Sequence, residues 1–383
     1  MVSISAPRVV AGGRLLTPGR VQVHDGRIVD VSEGDAGADV ALASGVLAPG
    51  LVDLQVNGFF GVDFADATPE QWRDVARRLA GTGVTAFAPT IITAPVAELA
   101  AGLRRARDAM AAQDGTAARI LGVHVEGPFL SERRKGAHNP ALLRDPDPEA
   151  VEALLGAAPG TLLVVTLAPE RPGALAAIGR LAGAGVLVSV GHTDATAAEV
   201  AAAAEAGARM VTHLFNAQRP LHHREPGVPG HALVDQRLTA GLIVDLHHVH
   251  AEVCRLAFAA APGRVALVTD AAAAAGMPPG RYVLGGEPVI LEAGRPPVRE
   301  DGTIAGSGLR LDEAVANTVG LGVDLVTAVQ AATSVPAGLV GRDDLGRLEA
   351  GAAADLVWLS DELRARATWV GGEQVFGRDV VPA

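Results

Sequence analysis

Three short runs carry the residues best suited to chemistry: His124-Val125-Glu126-Gly127-Pro128-Phe129, Gly191-His192-Thr193 and Thr212-His213-Leu214. Each ends a strand-like stretch with a carboxylate or an imidazole. Glu126, His192 and His213 together can hold one divalent metal ion and leave a coordination position open for water. Taken singly, Glu126 is more often a salt-bridge partner, and His192 or His213 a satisfied core histidine. Their joint placement favours a hydrolytic metal centre. All eleven histidines except His24 lie between His124 and His250, a concentration that core packing does not explain. One carboxylate with two imidazoles suits Zn2+ first, and Fe2+, Mn2+ or Co2+ as well.

Other polar residues follow strand-like runs in the same way. Gln55 and Asn57 end the first, His247, His248 and His250 follow the seventh, and Asp270 ends Val265-Ala266-Leu267-Val268-Thr269. Asp270 is a helix N-cap in its bland reading. Beside a metal that brings water toward a pKa of ~7, it is a proton carrier between that water and a leaving amine. His138, in the turn-rich Lys135–Pro140, reads equally as a solvated loop histidine or as a functional one. Asn216, Ala217 and Arg224 lie on a long loop, where Arg224 is either a surface cation paired with Glu225 or a bidentate anion ligand. His222, His223 and His231 read as solvated loop residues.

These positions need a scaffold that brings strand ends together. Eight apolar runs read as strands: Leu51–Val56, Val84–Pro89, Arg119–Val125, Thr161–Leu167, Gly185–Val190, Arg209–Thr212, Thr239–Leu246 and Arg264–Thr269. Continuous apolar character suits strands covered on both faces. Helical patterns separate them, at Pro69–Leu79, Val96–Met110, Pro148–Leu155, Gly173–Ala182 and Ala195–Ala206, and resume at Leu311–Gly320 and Leu325–Thr333. An α/β fold follows, a (β/α)8 TIM-like barrel whose C-terminal face gathers the strand ends. A doubly wound open sheet is the alternative, but no Gly-rich dinucleotide fingerprint follows the first strand. Leu214–Leu238 lacks helical period and reads as a lid or binding loop. Residues 1–48 and 343–383 read as strands and turns that pair into one small β domain, which leaves 49–342 for the barrel.

Composition narrows the function classes. Of 383 residues, 49% are hydrophobic, enough for a sizeable core, and the net charge of −11 argues against nucleic-acid or anionic-membrane partners. The single cysteine, Cys254, cannot form an intramolecular disulfide and reads as a small buried residue. No signal peptide or ~20-residue apolar span is evident. These features fit a cytoplasmic protein.

Taken together, the motifs resemble the N-acetylglucosamine-6-phosphate deacetylases of the amidohydrolase superfamily. The matching stretches run from Pro49-Gly50-Leu51-Val52-Asp53-Leu54-Gln55-Val56-Asn57-Gly58 through the three opening runs, Arg224-Glu225-Pro226-Gly227, Asp245–Val249 and Leu267–Ala271 to Gly306-Ser307-Gly308 and Ala354-Asp355. The resemblance implies a distorted barrel with a small β-sandwich built from both termini, and that Glu126, His192 and His213 bind the metal. It makes Asp270 the acid/base and gives His138 the acetyl carbonyl. Asn216, Ala217, Arg224 and His248 then contact the sugar phosphate. It also implies a homodimer, with a neighbouring subunit contributing near the phosphate, and an amino-sugar phosphate substrate. Many amidohydrolases carry His-x-His where Gln55 and Asn57 stand. Neutral amides are poorer ligands, so one metal per chain is expected. Leu246 stands where the family pattern has a small residue, which leaves His247, His248 and His250 as competing positions. The rival readings are another single-metal amidohydrolase, such as a deaminase or a deacetylase of a different N-acetyl hexosamine phosphate, and a non-catalytic barrel that only binds.

Overall fold

The computed structural model describes residues 1–377. Residues 378–383, the end of the expected C-terminal β segment, lie outside the described residues. Eight parallel strands form a nearly closed barrel: Leu51–Val56, Val84–Ile92, Val123–Glu126, Leu162–Leu167, Leu187–Val190, Met210–Val211, Thr239–Leu242 and Val265–Leu267. Their order in the sheet follows the chain. The first and eighth meet only near their C-terminal ends, through the parallel bridge Val56↔Ala271 and the Asp270 amide donating to the Gln55 carbonyl at 2.8 Å. The seam therefore closes where Gln55 and Asp270 sit.

Local signals fix the helices between strands. Pro69–Leu79 begins at a capping box in which Thr68 and Gln71 satisfy each other's backbone amides, and it buries Trp72, Val75, Ala76 and Leu79. Ala197–Ala206 starts at the equivalent Thr196/Glu199 box, two residues later than the alanine pattern alone suggests. Cys254 is fully buried in the helix Ala251–Ala260, and burial pushes its thiol up to about 11.

A separate sheet domain flanks the barrel. Its six-stranded sheet joins both ends of the chain, in the order Glu373–Phe376, Ala365–Val370, Leu356–Leu359, Val46–Pro49, Val9–Ala11, Arg14–Leu16. A four-stranded sheet faces it, and Ile4, Val9, Val21, Ile28, Leu47, Leu356 and Trp369 share the core between them.

Four departures from the sequence reading have physical causes. The third strand is split at Leu121-Gly122, where a Cβ on Gly122 would stand 2.8 Å from both Leu163 and the Thr161 carbonyl. The seventh strand stops at Leu242, although Ile243 and Val244 remain buried, because Asp245 turns the chain. Part of the supposed loop Leu214–Leu238 is the helix Gly227–Val234, whose period is masked by Gly and Pro. It buries Val228, Pro229, Ala232 and Leu233, and Arg264 caps the carbonyls of Ala232, Leu233, Asp235 and Leu238. A hairpin, Gly280–Leu284 with Glu287–Leu291, has no counterpart among the expected elements, although Gly285-Gly286 between apolar runs is a tight-turn signal. It packs Leu284 and Val289 on Ile92, Ala272 and Ala305 beside the barrel mouth. Among the described residues, no helix is long and apolar enough to cross a membrane.

Candidate metal centre and active site

Glu126, His192 and His213 meet at the C-terminal mouth of the barrel, all buried. His192 Nε2 lies 3.1 Å from His213 Nε2, and the two nitrogens lie 3.2 and 3.0 Å from Glu126 Oε1. Ligand atoms about 2.1 Å from a tetrahedral ion stand roughly 3.4 Å apart, so this triangle needs little widening to hold one. The donor set also fits electrostatically. Burial opposes a charge on Glu126, yet hydrogen bonds from His192 and His213 hold its carboxyl well below the usual range. Burial likewise opposes a charged His213, but Glu126 raises it to about 8. Two imidazole nitrogens and one carboxylate oxygen converge on one point, and a cation can replace the protons held between them. His192 Nδ1 donates to the Arg134 carbonyl at 2.9 Å, which leaves Nε2 as the ligand nitrogen.

The expected strand-one amides are present but do not face the centre as ligands. Gln55 Nε2 donates to both oxygens of Glu126 and to Asp270 Oδ1, each at 3.2 Å. Asn57 Nδ2 donates to Asp270 Oδ1 at 2.7 Å. The amides thus tie the two carboxylates together and occupy one oxygen of Asp270. Burial, then repulsion from Glu126, raises Asp270 to about 6.

Several of these side chains stand on strained backbone. His192 (φ 46°), His213 (27°), Ala217 (50°) and Asp270 (50°) all adopt the left-handed region. Such residues cost about 1–3 kcal/mol each and persist where the surroundings over-determine them, commonly at functional sites.

A cavity of about 390 Å3 opens on the cluster. Glu126, His138, His192, His213, Asn216, Ala217, His248 and Asp270 all line it. His138 packs edge-on against His192 at 4.3 Å between ring centres. Burial, then the neighbouring His192, pushes its ring well below the usual histidine range, so it is neutral. Arg224 is not brought in: it is exposed and lies outside the lining. The lining also includes residues that no sequence motif singles out, namely Ile92, Arg133 and Arg134 and, from the segment after the eighth strand, Leu284, Thr303 and Ile304.

Of the three competing histidines, His248 is the one that lines this cavity. Asp245 accepts from the amides of His247 and His248 at 2.9 Å and from His248 Nδ1 at 2.7 Å, turning His248 into the cavity. His250 caps the next helix, and His247 lines a different cleft. Leu246 keeps the turn that glycine favours, at φ 64° and half exposed. Leu246→Gly is therefore expected to stabilise the fold by about 1 kcal/mol, the relief of strain less the added chain entropy. A urea midpoint no higher than that of the parent chain would refute this.

The amidohydrolase family model matches residues 46–375, which spans the barrel and most of the flanking sheet. The chain belongs to the amidohydrolase family. Among curated amidohydrolase relatives, the N-acetylgalactosamine-6-phosphate deacetylase of Escherichia coli O157:H7 is 40% identical over 86% of this chain and 87% of its own length. The N-acetylglucosamine-6-phosphate deacetylase of Vibrio furnissii is 38% identical over 98% and 96%. A crystal structure of the N-acetyl-D-glucosamine-6-phosphate deacetylase of Mycobacterium smegmatis superposes with a TM-score of 0.93 at 38% identity, covering 98% of this chain and 100% of that one.

Proposed function

We propose that this amidohydrolase removes the acetyl group of N-acetyl-D-glucosamine 6-phosphate, giving D-glucosamine 6-phosphate and acetate. The supporting observation is the Glu126–His192–His213 triangle with Asp270 beside it on one cavity floor, in a chain that aligns over 86% and 98% of its length with deacetylases of N-acetylhexosamine 6-phosphates. In this reading residues 49–342 are the hydrolase unit, and 1–48 with 343–383 the accessory one. The enzyme works in the cytoplasm.

Glu126, His192 and His213 would hold one divalent ion, zinc by the chemistry of the donors. When bound, such an ion polarises the acetamide carbonyl and acidifies water. Asp270 takes the proton of the attacking water through the oxygen that Asn57 and Gln55 leave free. It returns that proton to nitrogen as the C–N bond breaks, so the amine leaves neutral. His138, neutral, donates to the carbonyl oxygen as negative charge develops there. Asn216, Ala217 and His248 hold the sugar phosphate.

Arg224 sits outside its own chain's cavity, which favours a homodimer in which it reaches the partner's phosphate end. Arg224→Ala is expected to raise KM about 10–100-fold for 6-phosphorylated substrates, the worth of a charge-assisted contact, and to leave unphosphorylated N-acetylhexosamines unaffected. In mixed dimers with Asp270→Asn, one intact site should reappear. No recovery, or a mass in solution equal to the 38.9 kDa chain, would remove the dimer from the reading. The decisive assay is acetate release from a panel containing the 6-phosphates of both N-acetylglucosamine and N-acetylgalactosamine, with and without chelator. Acetate from none of them, by metal-loaded protein, would end the deacetylase reading.

A further inference from the structure

The second barrel strand, like the fourth, ends without a residue that the sequence motifs mark for chemistry. It ends at Ile92, and the next residue, Thr93, is 4% exposed. Its hydroxyl lies 2.8 Å from Nδ1 of His138, and its amide N–H points at the same nitrogen from 3.4 Å. An amide N–H can only donate, so Nδ1 must present a lone pair there, and the ring hydrogen belongs on Nε2. The hydroxyl has a second acceptor in reach, the Glu126 carbonyl at 3.4 Å, but Nδ1 is nearer. Two donors therefore meet one ring nitrogen, and the two bonds fix the ring's orientation as well as its tautomer.

The placement needs space made by a neighbour. A Cβ on Gly127, at φ 90°, would fall 2.2 Å from the Thr93 hydroxyl oxygen. Gly127 follows Glu126 directly, so the turn that presents the carboxylate also leaves room for Thr93. Nε2 of His138 makes no hydrogen bond among the described residues and is not sealed from solvent, while the ring lines the cavity.

We propose that Thr93 is a positioning residue that fixes His138 as its Nε2–H tautomer, keeping that hydrogen available to a substrate oxygen. The proposal rests on the deacetylase reading for the role of His138, but not for the tautomer itself. The test uses metal-loaded, histidine-15N-labelled protein. Long-range proton–nitrogen spectra should place the His138 hydrogen on Nε2 in the parent chain. In Thr93→Val, of nearly equal size, they should show a mixture of tautomers. kcat should fall about tenfold or more, up to the roughly 10^2–10^3-fold cost of losing an oxyanion donor outright, with KM changed less than about twofold. Thr93→Ser should restore both the spectrum and kcat, and Thr93→Ala serves if the valine variant does not fold. An Nδ1–H ring in the parent chain, an unchanged tautomer in Thr93→Val, or a serine variant as slow as the valine one overturns the proposal. If the parent chain releases no acetate, the deacetylase reading fails, yet the spectra still decide the tautomer.

Discussion

Asp270→Asn is expected to lower kcat by about 10^3-fold while the metal content stays at the parent level. Loss of a positioned acid/base costs roughly 10^2–10^4-fold, and Asp270 is the carboxylate beside the triangle that does not belong to it. Its Oδ1 is engaged by Asn57 and Gln55, so asparagine can keep that arrangement and lose only the proton chemistry. The pH profile carries the same assignment. Asp270 must be ionised to accept a proton, and burial beside Glu126 raises it to about 6 in the metal-free chain. Activity should therefore fall as acid protonates it. A bound cation favours the carboxylate, so the acid limb of kcat/KM should lie below pH 6 in loaded enzyme. An Asp270→Asn enzyme with full metal and near-normal turnover would remove Asp270 from the chemistry.

The second large effect concerns Glu126→Gln. This change keeps the shape and removes the carboxylate charge that offsets the burial of His213. Metal affinity should fall by more than the roughly 10–100-fold seen when only an outer-shell partner of a ligand is lost. The readout is chelator competition and metal content, independent of turnover. A second readout is stability: a ligand at 100 times its Kd adds about 2.7 kcal/mol to the folded state. The parent chain should gain melting temperature on metal addition, and Glu126→Gln should gain almost none. Parent-like affinity in the variant would mean that the triangle is not the metal site.

Much of this centre is legible in the sequence. Eight strands alternating with amphipathic helices, with no Gly-rich fingerprint after the first, favour a barrel over an open doubly wound sheet, and a barrel places every strand's C-terminal end on one face. Polar residues that end apolar runs, Glu126, His192, His213 and Asp270, are therefore bound to approach each other, however far apart along the chain. The Pro69–Leu79 and Leu311–Gly320 helices have the bounds their patterns predict, because capping and period are local properties. The Gly285-Gly286 turn is equally local, and its signal is present in the sequence although the expected elements omit it.

What remains depends on contacts between distant segments. Gln55 and Asn57 are poor ligands by their chemistry alone, but only the closed seam shows Gln55 bridging Glu126 and Asp270 and Asn57 bound to Asp270. His248 lines the cavity rather than its neighbours because Asp245 turns the chain, which Leu246 accommodates at a positive φ that no leucine prefers. Thr93 is an ordinary threonine until Gly127 and His138 arrive beside it. Arg224 shares the motif yet falls outside its own cavity. Which strand ends gather at the barrel mouth is written in the sequence, because strand direction and alternation are set by neighbours along the chain. How those residues are oriented and paired there belongs to the tertiary structure, because a hydrogen bond depends on ångström-scale positions fixed by the packing of the whole barrel.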